Sequence, residues 1–402
     1  MKLVYIHQYF TFPNNAGGTR SYDLSKEFAS KGINVTIITS SAKIKGVEFK
    51  KKWSYIEREG IKFWILKCDY SHKMSIFKRI ISFSKFAFFS TIKISKLKCN
   101  IVLVTSTPLT IVIPAIIKKW ISTTPYIFEV RDVWPEGPIQ QGYVKNKLLI
   151  KILRKIEKYI YKNADYVVPL SIGMKHDILT RVSGINMEVI PNISEIDRFE
   201  NIDNKINLNI DLKNKKIILY AGTLGPVNDI IYVAKLAERT YLIDPSIIFL
   251  IIGDGKQKDK IINYCKKNEI YNKNIYFFDP VPKESLPYIY SLVTMGSSFV
   301  WDYKIKWDNS ANKVFDTLAA GKPLLINYQG WQAEMIHERK CGFVLSPKPT
   351  NQEILDFVSY LNDKNRIIEH GKNAKRTAKE FSLPIAVKKY LKIFDILINT
   401  KS

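Results

Sequence analysis

Lys216-Ile217-Ile218-Leu219-Tyr220-Ala221-Gly222-Thr223-Leu224-Gly225 reads as a buried strand that runs straight into a glycine turn. Its apolar residues are continuous rather than alternating, the pattern of a strand covered on both faces of a parallel sheet. It also restarts a rhythm. Upstream, similar runs fall at 2–7, 34–40, 61–66, 101–105, 125–130, 165–169 and 187–190, with helical-period stretches such as 19–31 and 145–163 between them. Then comes 191–215, rich in Asn, Asp and Ile and opening on Pro191-Asn192, which reads as a linker. Downstream the runs resume at 247–252, 274–279, 292–298, 323–327 and 342–346. Two successive βαβ series predict an α/β chain of two doubly wound, Rossmann-like domains, 1–195 and 196–383, facing each other across a cleft. Ligands of such sheets sit beyond the carboxyl ends of the strands, so chemistry is sought in the loops just after them.

The composition agrees. The 402 residues are 46% hydrophobic and 25% charged, which excludes a disordered tail protein. A single core rarely grows to this length, so two domains of roughly 200 residues each are expected. No run of about 20 apolar residues lacks charges, so no spanning helix is expected. Met1–His7 reads as a strand rather than a secretion signal. Cys68, Cys99, Cys265 and Cys341 are scattered without CxxC spacing, against a zinc ribbon or disulfide framework and in keeping with a reducing cytoplasm.

Three glycine loops follow strands. The first, His7–Thr19, contains Gly17-Gly18 and precedes a helix. The second is Gly222-Thr223-Leu224-Gly225, and the third Gly253-Asp254-Gly255-Lys256. Glycines let backbone approach a phosphate, and a helix N-terminus favours an anion. Glycines are also common in ordinary βα loops, and the first is not GxGxxG. The richest stretch is 307–323. Ser310 is a plausible N-cap, Gly321 and Pro323 mark a helix end, and Val314, Phe315, Leu318 and Ala319 form a core face. Asn312, Lys313 and Asp316 share another side. Amides and Lys313 would suit a diphosphate, and the carboxylates would suit a ribose hydroxyl pair. The plain alternative is a solvated face with a Lys–Asp pair.

At these residues the whole chain resembles glycosyltransferase family 4, retaining transferases of the GT-B fold, in particular the bacterial branch that builds O-antigen and capsule polysaccharides. That family carries Glu-x7-Glu ahead of an Ala-Gly-Lys/Thr-Pro helix end. Asp308 and Asp316 stand at the two acidic positions here, framed by Ala319-Ala320-Gly321-Lys322-Pro323. The resemblance implies that Asp316 holds the donor's ribose and that Asp308 lies near the transferred sugar, although both are a methylene shorter than Glu. Arg131-Asp132-Val133-Trp134-Pro135 is similar to a run of this branch that faces the cleft. It implies that Arg131 neutralises a phosphate or steadies the acceptor and that Asp132 binds an acceptor hydroxyl, the alternative being an Arg131–Asp132 or Arg131–Glu136 pair that organises the loop. Gly17 and Gly18 resemble the family's loop beside the diphosphate. Gly222, Thr223, Gly253, Lys256, Asn312 and Lys313 complete the implied donor set. Thr223 and Asn228 fall near positions where many members carry Arg and Lys. The last helix, about 384–402, is assigned by resemblance to the first domain.

The resemblance implies transfer from a nucleotide diphosphate sugar, a UDP-sugar above all, to a lipid-linked saccharide, with retention by front-face attack. No cofactor is implied, and no Asp-x-Asp occurs, in keeping with a metal-independent reaction. A nucleotide-sugar 2-epimerase of the same fold is an alternative. Lys and Arg total 62 against 37 Asp and Glu, a net charge of +25. Residues 41–100 hold 15 basic and 4 acidic side chains. Stretch 71–98 has seven basic and no acidic residues, and 144–162 has seven basic and one Glu. Basic amphipathic segments suit an anionic membrane surface, and a peripheral site on the inner face of the plasma membrane is expected. Ordinary sheet-packing helices are the alternative. Nucleic acid is disfavoured, because no zinc finger, helix-turn-helix or RNA platform motif is present. His7, at the end of the first strand, reads as packed against its loop rather than as a general base.

Overall fold

A computed structural model describes residues 1–70, 74–140, 142 and 144–399. Residues 71–73 of the basic stretch, His72 among them, and 400–402 of the C-terminal segment lie outside the described residues. The chain divides into two compact units. One comprises Met1–Asn15, Thr19–Pro191 and Leu383–Ser402, the other Ala16–Gly18 and Asn192–Ser382.

The first unit is built on β1 (Lys2–Ile6), β2 (Asn34–Ser40), β3 (Trp53–Arg58), β4 (Ile61–Leu66), β5 (Ile101–Thr105), β6 (Tyr126–Val130) and β7 (Tyr166–Pro169), in the order β3-β4-β2-β1-β5-β6-β7. Every pairing is parallel except β3 with β4. In the centre Leu3 lies opposite Val35 and Ile101, and all of β5 and β6 are buried, which is why these strands read as unbroken apolar runs. The edge strand β3 lacks that signature, because its outer side faces solvent and its residues are half-buried or exposed. It forms a hairpin with β4 through Glu59-Gly60, both at positive φ, as a tight two-residue turn requires. The expected strand 187–190 runs beside β7, with Glu188 N–H donating to Val167 and Ile190 N–H to Pro169. Only a single Val167–Met187 bridge is regular before Pro191 ends it.

One buried polar cluster ties this unit together beyond the strand ends. Glu129, the fourth residue of β6, is fully buried, and Arg20 at the head of helix Arg20–Ser30 donates from Nε to its Oε2 at 2.9 Å. Thr105 donates to the other oxygen at 2.7 Å, and Tyr390 of helix Leu383–Asn399 also donates to Glu129. Arg20 further donates to the carbonyls of Pro191 (2.5 Å) and Ile190 (3.0 Å). Burial would push the Glu129 carboxyl up, but the charges of Arg20 and Arg131 outweigh it and hold the group down at about 2. The final helix packs on Arg20–Ser30 through Phe28, 5.2 Å from Phe394 and 5.8 Å from Tyr390.

The second unit contains β8 (Lys216–Ala221), β9 (Ile247–Ile252), β10 (Ile275–Phe278), β11 (Met295–Ser298), β12 (Leu324–Ile326) and β13 (Gly342–Val344), all parallel, in the order β10-β9-β8-β11-β12-β13. The chain winds outward from β8 in one direction, then in the other from β11, so a topological switch point falls between those two strands. Segment 191–215 is no loose linker. Phe199, from the short helix Ile196–Glu200, and Leu208 are buried against Ile217 and Leu219 of β8.

Arg20→Met should destabilise the first unit by about 3–5 kcal/mol, because it strands a buried carboxylate; urea unfolding followed by tryptophan fluorescence measures it. The sign of the pH dependence follows from Glu129. Its folded pKa is depressed, so its stabilisation is present above the ordinary value of 4.5 and is lost as pH falls toward about 2. The variant should lack that part of the acid dependence.

Candidate functional site

At the carboxyl end of β8, beside the switch point, the second unit gathers most of its chemistry-bearing residues. Two turns lie side by side there. Gly222 N–H extends the β8–β9 ladder to the Ile252 carbonyl at 2.9 Å, and Leu224 N–H reaches the Asp254 carbonyl at 2.9 Å. These amides are therefore committed to joining the turns. Close approach explains the glycines. A Cβ at Gly253 would lie 1.9 Å from the Gly222 oxygen, and one at Gly255 would lie 2.3 Å from the Leu224 oxygen. Thr223 and Lys256 are exposed on these turns. The Thr223 carbonyl accepts from Tyr220 Oη at 2.9 Å and from Asn228 Nδ2 at 2.8 Å.

Helix Asn312–Ala319 follows β11 and brings in the cation. It can sit tight on the sheet because Gly296 leaves room, since a Cβ there would lie 2.1 Å from Thr317 Oγ1. The helix starts one residue later than its sequence suggests. Ala311 is the N-cap residue and offers no side-chain cap. Ser310 is drawn away instead, accepting from Asn192 N–H at 3.1 Å, and Asn309 Oδ1 takes the Ala311 amide at 3.0 Å. Gly18 belongs to this unit, and a side chain there would collide with Asn312, 2.3 Å from Nδ2. Gly17 beside it is exposed.

Lys313 is the centre of the arrangement. It is half-buried, its Cε would lie 2.9 Å from a Cβ at Gly222, and its ammonium stands 4.5 Å from the centre of the Tyr220 ring. It donates to Tyr220 Oη at 3.2 Å and to Asn228 Oδ1 at 3.4 Å, both neutral oxygens, and among the described residues no carboxylate pairs with it. Desolvation lowers its pKa to about 8, with the charge of Asp316 pulling the other way. A cation with neutral neighbours at a glycine turn is an anion site in its chemistry.

Asp316, one turn on, is buried and does not pair with Lys313. Both its oxygens accept from Lys283 Nζ at 2.5 Å, and both side chains are under 8% exposed. Lys283 heads the turn Lys283–Ser285 after β10. It escaped the sequence reading because it lies 33 residues from Asp316. The available signal was position: Pro282-Lys283 follows a strand at the same sheet edge as the glycine turns. Tyr220 reads in the sequence only as a strand residue, yet its hydroxyl joins Thr223 to Lys313. Asp308 is half-buried at the end of the short helix Lys304–Trp307.

In the first unit, Arg131 is half-buried and Asp132 exposed just beyond β6. The Arg131 amide donates to Ser106 Oγ at 3.0 Å. Its guanidinium makes no ion pair among the described residues, so the loop-organising Arg131–Glu136 pair is not formed; Glu136 pairs with Arg154 at 2.7 Å. His7 is buried, with Nδ1 2.9 Å from Ser21 Oγ. Burial, reinforced by the charge of Arg131, lowers its pKa to about 3, so the imidazole is neutral near pH 7.

Residues 201–381, nearly the whole second unit, match the family model of glycosyl transferases group 1. The second unit is thus similar to a group 1 glycosyltransferase domain. A putative colanic acid biosynthesis glycosyl transferase of Escherichia coli is 29% identical over 161 residues, 39% of this chain and 38% of that one. The matched stretches cover 38 to 64% of the length of the curated relatives. Among solved structures, sucrose-phosphate synthase from Thermosynechococcus elongatus superposes with a TM-score of 0.77 at 14% identity over 99% of both chains. The Anabaena protein HepE, in complex with UDP-glucose, superposes at 0.69 and 12% identity over 98% of this chain and 99% of its own. The chain thus has the GT-B fold of two Rossmann-like domains. Within the second unit, Gly253→Ala should cost about 2–4 kcal/mol, because the turns must part. Gly225→Ala, which meets only Thr223 Cγ2 at 3.4 Å, should be near neutral. Chemical denaturation of the two variants measures the contrast.

Proposed function

We propose that this protein transfers a sugar, with retention, from a nucleotide diphosphate donor, best a UDP-sugar, to a lipid-linked saccharide in the synthesis of a bacterial surface polysaccharide. The observation that carries the proposal is Lys313, a half-buried cation with only neutral hydrogen-bond partners at the switch-point glycine turn. A donor diphosphate supplies the missing charge. Asp316 on the same helix takes the ribose hydroxyls, and Asp308, eight residues earlier, takes the sugar side. The HepE complex supports UDP, and the colanic acid relative supports a polysaccharide product. Gly17, Gly18, Gly222, Thr223, Gly253 and Asn312 shape the donor pocket. Lys256, exposed on its turn, steers the anion from outside.

Front-face transfer rests on positioning and on charge stabilisation of the leaving diphosphate. Lys313 and the uncapped N-terminus of its helix provide that charge, with Arg131 and Asp132 serving phosphate and acceptor. The reaction needs no divalent metal, and turnover should persist in excess chelator.

The acceptor reading extends to a membrane surface. Helix Ile76–Ser95 exposes Phe77 and Phe88, and helix Lys147–Asn163 exposes Leu148, Leu149, Ile152 and Ile156 beside Lys151, Lys155 and Lys158. Apolar side chains among lysines suit the anionic inner face of a plasma membrane. No helix among the described residues is long and apolar enough to cross a membrane.

Calorimetry with UDP tests the donor reading. Because an anion restores the lost charge of Lys313, binding near pH 8 should take up about half a proton, read from heats in buffers of different ionisation enthalpy. Affinity should fall as pH rises above about 8. Lys313→Met should lose the proton uptake and bind roughly 10- to 100-fold more weakly. Unchanged affinity in that variant sinks the reading. Sedimentation with vesicles tests the surface: phosphatidylglycerol vesicles should capture the protein in a salt-sensitive manner and phosphatidylcholine vesicles should not. Equal capture by both would remove the electrostatic part.

A further inference from the structure

We infer that Lys283 is a positioning and specificity residue for the nucleotide, acting through Asp316 to set recognition of the ribose. The inference rests on the reading of Asp316 as the ribose ligand and adds a residue that the acidic frame does not contain.

The geometry is unusual for a solvated ion pair. Lys283 Nζ sits 2.5 Å from each Asp316 oxygen, and both side chains are almost wholly buried. The ammonium of Lys283 also lies 5.9 Å from the centre of the Phe199 ring. Phe199 packs edge-on against Tyr290 at 5.4 Å. Tyr290 Oη lies 3.0 Å from Thr317 Oγ1, the residue next to Asp316. The ring beside the ammonium is thus linked, through Tyr290, to the helix that carries Asp316.

Two consequences follow for a ligand. First, a buried carboxylate needs a counter-charge, and Lys283 supplies it from within hydrogen-bond distance of both oxygens. Second, an ammonium centred between the two oxygens uses one lone pair of each and fixes the carboxylate plane. The remaining lone pairs then point in set directions toward whatever approaches. Aspartate is a methylene shorter than glutamate and has one fewer rotatable bond, so its aim depends all the more on such a partner. A vicinal hydroxyl pair is the ligand chemistry that an aimed, anionic carboxylate distinguishes best. Ribose should therefore be told from its 2′-deoxy counterpart through Lys283, although Lys283 itself need not touch the sugar.

The test compares UDP with 2′-deoxy-UDP by calorimetry on the full chain. The wild type should prefer the ribonucleotide by about tenfold, the value of a hydrogen bond to a charged acceptor. Lys283→Met, which retains the apolar stem, should reduce that preference to about twofold or less, while Lys283→Arg, a two-pronged cation, should keep most of it. The ratio of the two affinities is the decisive readout, because general loosening of the domain weakens both ligands together and leaves it unchanged. A wild type that discriminates, with a Lys283→Met protein that discriminates equally, overturns the role of Lys283 and leaves Asp316 as the ribose ligand. A wild type without preference overturns the ribose reading of Asp316, and this inference with it. If Lys283→Met does not fold, Lys283→Gln carries the same comparison, and full retention of the preference there overturns the proposal.

Discussion

The first unit depends on a single buried carboxylate. Glu129 receives Arg20, Thr105 and Tyr390, so that strands β5 and β6, the helix after the first loop and the last helix of the chain meet at one point. Arg20 also holds the carbonyls of Ile190 and Pro191, where the chain leaves the unit. A buried ion pair is weak evidence for net stability, since well-packed apolar residues can often replace it. Its value here is directional. Apolar packing would let the helices slide, whereas a network of hydrogen bonds on two ionised side chains defines one arrangement.

The second unit divides its charges differently. Lys283 and Lys313 both lie near Asp316, yet only one of them is neutralised. Lys283 takes the carboxylate outright, which leaves Lys313 with hydroxyl and amide partners and a depressed pKa. Had Lys313 closed on Asp316, as the three-residue spacing suggests, cation and acceptor would cancel. The third charge keeps both chemistries open on one short helix.

Much of this was visible in the chain itself. Strands buried on both faces appear as unbroken runs such as Ile247–Ile252, and the restart at Lys216 marked a second sheet. Edge strand β3 was not visible, because half its residues face water and its pattern is set by pairing with β4. The helix start moved from Ser310 because Asn192, 118 residues away, claims the serine. Lys313, Gly222 and Asn228 were each conspicuous, but that they touch depends on how β8 and the helix after β11 pack. Lys283 was silent for the same reason. The Arg20–Glu129 pair lay hidden in plain view: the residues fall inside the expected helix 19–31 and strand 125–130, and only the fold brings together positions 109 apart.

The first unit is assembled from both ends of the chain. Its last helix, Leu383–Asn399, supplies Tyr390 to Glu129 and two rings to Phe28, and it is made after all of the second unit. During synthesis, therefore, the amino-terminal sheet waits, its carboxylate cluster incomplete and Phe28 without its partner rings, until the second unit has been made. A chain cut before Leu383 would keep every strand of the second unit and lack the helix that closes the first, so the loss would be felt in the amino-terminal half.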